Sequence, residues 1–369
     1  MLWYASGVSE VAELAQVYAS ARMVLNPRSR RLRGRGAPSI IRNGVHKPEP
    51  ERLPMKILVM GAGAVGGYFG GVLSRSGSDV TFVARGSQLE AMNSRGLRIE
   101  SDVLGTFTVR PPAVEKLDGS WMADLVIYCV KSYQNEEAME AMKPAVGEST
   151  AILTLQNGIG CGEQLAEAFG SDKALLGATY IDATRTSPGV VVQEGSDTRI
   201  VFGEEDGRET ARAVRVRDAL RQDGIDAILS DDVLKALWTK LVYICALSGM
   251  RCITRASFAE VMDTPETLEL SLQVMREAVE VGRANGVELD DGLVDATLAE
   301  FRRSRDNLTS SMYLDLLAGN PLEVQVLNGA VSRIGRETGI ATPANDFITT
   351  CLSVADRRAR SRSGAETSS

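Results

Sequence analysis

The stretch KILVMGAGAVGGYFGGVLSRSGSDVTFVAR, residues 56–85, decides how the rest of the chain is read. An apolar run at 57–60 enters a turn with glycines at 61, 63 and 66. An apolar helical pattern follows, and a second apolar run occupies 80–83. The order is strand, glycine turn, helix, strand. GxGxxG alone is a weak signal, but between a buried strand and a helix it predicts a dinucleotide site with a mechanism. Gly61 permits the tight turn, Gly63 lets a pyrophosphate approach the backbone, and Gly66 lets helix and strand pack closely. With Ala62, Ala64 and Val65 they form a loop whose unpaired N–H groups, at the helix start, face the phosphates.

Outward from this unit, residues 56–229 alternate short apolar runs with helical patterns. Strands are expected at 57–60, 80–83, 125–130, 151–155, 190–193 and 199–202. This alternation predicts an α/β fold with a Rossmann-type, doubly wound, mostly parallel sheet. Its ligand belongs at the carboxyl ends of the strands, which is where Arg85, Lys131, Ser132 and Asn157 fall. NAD-preferring sites place an acidic residue after the second strand, whereas this chain has VARG there and Asp79 at the strand's other end. Arg85 therefore favours a 2′-phosphate and hence NADPH/NADP, the alternative being a solvated loop arginine. Lys131 either neutralises cofactor phosphate or is an ordinary exposed lysine.

Beyond about residue 231 the pattern becomes helical, at 232–250, 265–285, 293–301, 309–317 and 321–338. An all-helical C-terminal domain over 231–356 is expected after a cofactor domain over 55–230, with the active site in the cleft between them. The polar segment 357–369 reads as a flexible tail. Residues 1–54, with RSRRLRGRG at 28–36, read as a disordered extension. An amphipathic pattern at 8–24 suggests a transit peptide, and Glu10 and Glu13 count against one. Met55, directly before the first strand, suggests an over-long reading-frame start as the other reading of the extension.

Bulk properties exclude several classes. At 369 residues with 44% hydrophobic and 24% charged content, the chain can build two sizeable cores. A net charge of -7 argues against a nucleic-acid partner, because phosphate binding needs a basic surface. No uninterrupted apolar segment is long enough to span a bilayer, so no membrane partner is expected. The five cysteines lack CxxC spacing, which favours reduced thiols in a cytoplasmic protein over disulfides or a metal site. The one histidine, His46, precedes the glycine turn. Proton transfer in the folded part must therefore fall to a lysine or a carboxylate.

Lys240 is the candidate. No charged residue stands between it and Arg251, and its helical neighbours are Ala236, Leu237, Tyr243 and Ile244. Partial desolvation there would lower its pKa toward use as a proton donor, and a snorkelling lysine is the alternative. Glu323 also has two readings. In GNPLE it is either a functional carboxylate or the third residue of a helix capped by Asn320 and opened by Pro321. Ser310 and Ser311 are either ligand-binding or helix-start residues.

Together these pieces resemble the ketopantoate reductase (2-dehydropantoate 2-reductase) family over residues 55–352. The likeness rests on GAGAVGG at 61–67 with VARG at 83–86, CVKSYQ at 129–134, LQNGIG at 155–160, LWTKL at 237–241 and SSMYLDLLAGNPLEVQVLNG at 310–329. The resemblance implies NADPH-dependent reduction of a small-molecule 2-oxo acid to a 2-hydroxy acid. It implies that Lys240 donates the proton to the carbonyl oxygen and that Glu323 is the acidic residue near that lysine. It places Asn157 near nicotinamide and substrate, and Ser311 on the substrate. Departures accompany it. The family's usual asparagines four and eight residues after the lysine are here Ile244 and Ser248, and Gln325 stands where a second acid is usual. Ser248 is nevertheless kept, with Asn157 and Ser311, as a substrate-binding position. Either the substrate differs from ketopantoate or another residue recovers the lost contact. Two rivals stay open: another lysine-dependent NAD(P) hydroxy-acid dehydrogenase of this architecture, and a non-catalytic NADP-binding regulator. A homodimer is left open as well.

Overall fold

The computed structural model describes residues 55–304, 306 and 308–366. The extension 1–54, with its transit-peptide and reading-frame expectations, lies outside the described residues. In chain order the first half contains β1 (Lys56–Met60), α1 (Ala64–Arg75), β2 (Asp79–Val83), α2 (Gly86–Arg95), β3 (Leu97–Ser101), β4 (Gly105–Val109), β5 (Ala113–Val114) and β6 (Ala123–Tyr128). It continues with α3 (Asn135–Met142), β7 (Val146–Thr154), α4 (Cys161–Phe169), β8 (Ala174–Ser187), β9 (Val190–Gly203), α5 (Ala211–Leu220) and β10 (Asp226–Leu229). The second half is helical: α6 (Val233–Thr254), α7 (Phe258–Asp263), α8 (Pro265–Ala284), α9 (Leu293–Ser304), α10 (Ser311–Ala318), α11 (Asn328–Thr338) and α12 (Pro343–Glu366).

Strands β5, β2, β1, β6, β7 and β8 lie side by side in that order, every neighbouring pair parallel. The chain steps from β1 outward to β2 and β5, then returns to β1's other side as β6. That reversal opens a crevice above the carboxyl ends of β1 and β6. In β1, Ile57 and Val59 pack under α1 and α5, while Leu58 and Met60 pack under α3 and α4. A strand covered on both faces must be apolar at every position, which is why β1 reads as an unbroken hydrophobic run.

The sheet is more mixed than expected. β8 and β9 are 14-residue strands that pair antiparallel, and β3, β4 and β10 extend this second section. Sequence reading missed β8, the β3–β4 hairpin and β10, though Thr179, Ile181 and Thr184 carry the β-branched signature of a strand.

The helical core forms around α6. Trp238, Val242, Cys245 and Met250 are at most 1% exposed and pack with Val274, Met275, Ala278 and Ile348. The valine, isoleucine and methionine side chains among them each contribute roughly 1.5–3 kcal/mol by leaving water. By length and composition α6 is apolar enough to cross a bilayer, although Lys235, Lys240 and Arg251 interrupt it. Its apolarity is used here to fill the interior of the helical cluster.

Two further expectations change. The helix expected at 321–338 begins only at Asn328, because Leu322 N is drawn to the Asp356 carboxylate at 2.8 Å and Glu323 is drawn toward the sheet. The tail expected to be flexible from 357 continues α12 to Glu366. Ala359 is 2% exposed, and the Arg360 guanidinium pairs with Asp356 and lies over Tyr133.

Candidate active site

The glycine turn caps the crevice. Gly61 has φ +99°, and a Cβ on Gly66 would stand 2.2 Å from the Gly61 carbonyl oxygen. Neither position accepts a side chain without moving backbone. A Cβ on Gly63, by contrast, would meet nothing within 4 Å, and α1 starts with no side-chain cap and no acidic residue in its first turn. Open space beside uncapped N–H groups suits an anion. At the end of β2, Arg85 is exposed, and its Nη1 donates to Glu137 Oε1 at 2.6 Å.

The loop after β7 supplies the next group. Gln156 Nε2 donates to Val130 O at 2.6 Å and to Asn135 Oδ1 at 2.7 Å, pinning the loop to the end of β6. Gly158 has φ +88°, and a Cβ there would lie 2.0 Å from Val326 O, which accepts Ile159 N at 3.0 Å. The turn is thus bolted to the segment that leads into α11, and Asn157 is brought against α6.

There Lys240 meets it. Its Nζ donates to Asn157 Oδ1 at 2.7 Å and to the Thr179 carbonyl oxygen on β8, and lies 5.6 Å from the Tyr180 ring centroid. Burial is the largest influence on this ammonium and lowers its pKa, Glu323 and Asp197 act against it, and the result is about 8. This is not a snorkelling lysine, since its head group is held by two protein oxygens. Thr179 was missed from sequence because its acceptor is a backbone carbonyl with no sequence signal.

Glu323 resolves differently from its helix-capping alternative. It sits at the start of a turn, where its own carbonyl accepts Val326 N, and is 5% exposed; Oε1 accepts Ser132 N at 3.1 Å and Oε2 accepts Lys131 Nζ at 2.9 Å. Lys131 also donates to Asp315 Oδ2 at 3.0 Å. Burial works against the Lys131 charge, but the two carboxylates outweigh it and raise its pKa. Expected beside the cofactor phosphates, Lys131 here ties the end of β6 to the helical region, and a phosphate would have to compete with both acids. Asp315 was not foreseen, although it lies one turn beyond Ser311 on α10.

The serines divide. Ser248 is 5% exposed and its Oγ accepts from Ser310 Oγ at 2.7 Å, while Ser310 caps α10 by accepting Tyr313 N at 3.3 Å. Ser311, the first residue of α10, is exposed. A cavity behind the loop, lined by Gln156, Gly158, Leu234 and Leu237 among others, has about 30 Å³ of space for water and is too small for a substrate.

A sequence model described as ketopantoate reductase PanE/ApbA matches residues 57–207, and the model of that family's C-terminal part matches 232–356. The chain belongs to the ketopantoate reductase family. It is an NAD(P)-dependent oxidoreductase. A 2-dehydropantoate 2-reductase of Archaeoglobus fulgidus is 33% identical over 293 residues, covering 79% of this chain and 94% of that one. The crystal structure of 2-dehydropantoate 2-reductase from Geobacter metallireducens GS-15 matches with a TM-score of 0.76 at 32% identity, over 82% of this chain and 100% of the other. The ternary structure of D-mandelate dehydrogenase with NADH and anilino(oxo)acetate also gives 0.76, at 26% identity, over 83% and 99% of the two chains. In this ketopantoate reductase family member Asn157 and Lys240 thus meet directly, with Glu323 bonded to Lys131 rather than to Lys240.

Proposed function

We propose that this ketopantoate reductase family member reduces a 2-oxo acid to the 2-hydroxy acid with NADPH, Lys240 giving its proton to the carbonyl oxygen. When bound, the nicotinamide supplies the hydride. The backbone of residues 61–66 would hold the pyrophosphate, with open space beside Gly63. Arg85 would hold the 2′-phosphate once released from Glu137, an exposed pair worth at most about 1 kcal/mol. That arginine supports NADPH here, even though the D-mandelate dehydrogenase structure contains NADH.

Lys240 is the observation that carries the reading. Asn157 and the Thr179 carbonyl orient its N–H bonds, and burial makes the neutral amine easier to form than on an exposed lysine. Glu323 and Asp197, acting through space, favour the charged form against burial, and with a pKa of about 8 the donor is loaded at neutral pH before substrate arrives. The five free thiols support a reducing, cytoplasmic setting. Lys240→Ala tests the proposal: kcat for NADPH-dependent 2-oxo acid reduction should fall by about 10²-fold or more with NADPH binding retained. A kcat near that of the unaltered enzyme would remove Lys240 from the chemistry.

A further inference from the structure

Lys240's helix also determines what meets the substrate beyond its carbonyl. Residues four apart share a helix face about 6 Å apart, so the face that presents Lys240 continues through Ile244 to Ser248. Ile244 is half-buried, packed on the helical core but not sealed by it. Ser248 is 5% exposed, and its hydroxyl oxygen is taken by Ser310, which is itself 3% exposed and anchored as the cap of α10. In the turn past the proton donor this face therefore offers the hydrocarbon of Ile244, and one turn further a serine whose oxygen accepts from Ser310.

We propose that the 2-oxo acid taken by this chain carries an apolar substituent at this wall, and that Ile244 sets the preference over hydroxylated substrates. The inference rests on the reductase reading above and assigns that site's substrate class. A hydroxyl placed against Ile244 would leave water and find no partner on that side chain, whereas a methyl group loses nothing there. Ser248 is then a positioning residue, holding α10 through Ser310.

A matched pair of acids tests this. Trimethylpyruvate and 2-dehydropantoate share one branched skeleton and differ by a single hydroxyl. With the purified full-length protein and NADPH, kcat/KM should favour trimethylpyruvate by about 10–10²-fold, the range an apolar pocket achieves against an added hydroxyl. Ile244→Asn should move the ratio toward 2-dehydropantoate by a similar factor, and Ile244→Thr, closer in shape, should move it the same way if the asparagine variant does not fold. Preference of the unaltered enzyme for 2-dehydropantoate would overturn the inference and leave the reductase reading standing. A folded Ile244→Asn variant with an unmoved ratio would also overturn it. Reduction of neither acid, nor of shorter and longer 2-oxo acids, with NADPH or NADH would overturn both.

Discussion

The two walls of the crevice are built on different terms. The sheet wall is mostly backbone: a glycine turn, uncapped N–H groups at α1, and a second turn at Asn157 and Gly158. The α6 wall is side chain: one desolvated lysine followed by isoleucine and a serine whose hydroxyl oxygen accepts from Ser310. Backbone N–H groups recognise phosphates whatever the reaction, so the first wall specifies a class of cofactor. On the proposed reading the second supplies the proton and meets the substrate, and so decides the reaction and what is reduced. A third group, Lys131 with Glu323 and Asp315, joins the sheet to the helices and fixes the distance between the walls.

Substitutions on each element should therefore differ in kind as well as size. The largest loss should follow Lys240→Ala, which removes the donor and spares the sheet wall. Next is Glu323→Gln. The Glu323 carboxylate is almost fully buried and ion-paired, so neutralising it should cost roughly 2–3 kcal/mol in urea unfolding. It should also shift the Lys240 limb of the pH–rate profile to lower pH, because Glu323 pulls that pKa upward. Unchanged stability with an unmoved limb would detach Glu323 from both roles. Arg85→Ala should have the smallest effect. We expect KM for NADPH to rise about tenfold with KM for NADH little changed, a loss confined to one phosphate contact. An equal change for both cofactors would show that Arg85 does not read the 2′-phosphate.

The walls also differ in how much of each could be read from sequence. The sheet wall follows local rules, since a buried strand must be apolar and a close helix approach needs glycine, and both are written into residues 56–85. Lys240 was visible for the opposite reason, as the lone charge in a long apolar segment. Its partners were less so. Asn157 came from its place after a strand, but the Thr179 carbonyl depends on the course of β8. Glu323 shows a local rule losing: Asn-Pro-Leu-Glu is a sound helix start, yet pairing with Lys131, 192 residues earlier, outweighs one more helical turn. The buried Ala359 likewise holds as helix a polar segment that composition alone reads as frayed.

The central claim is that Lys240 carries the proton, and the pH dependence of kcat/KM for NADPH-dependent reduction tests it most directly. The donor must be protonated in the free enzyme, and its pKa is about 8. The rate should therefore be level at neutral pH and fall roughly tenfold per unit above about pH 8, while oxidation of the hydroxy acid rises through the same range. A reduction rate constant that stays flat from pH 6.5 to 9.5 would contradict the account.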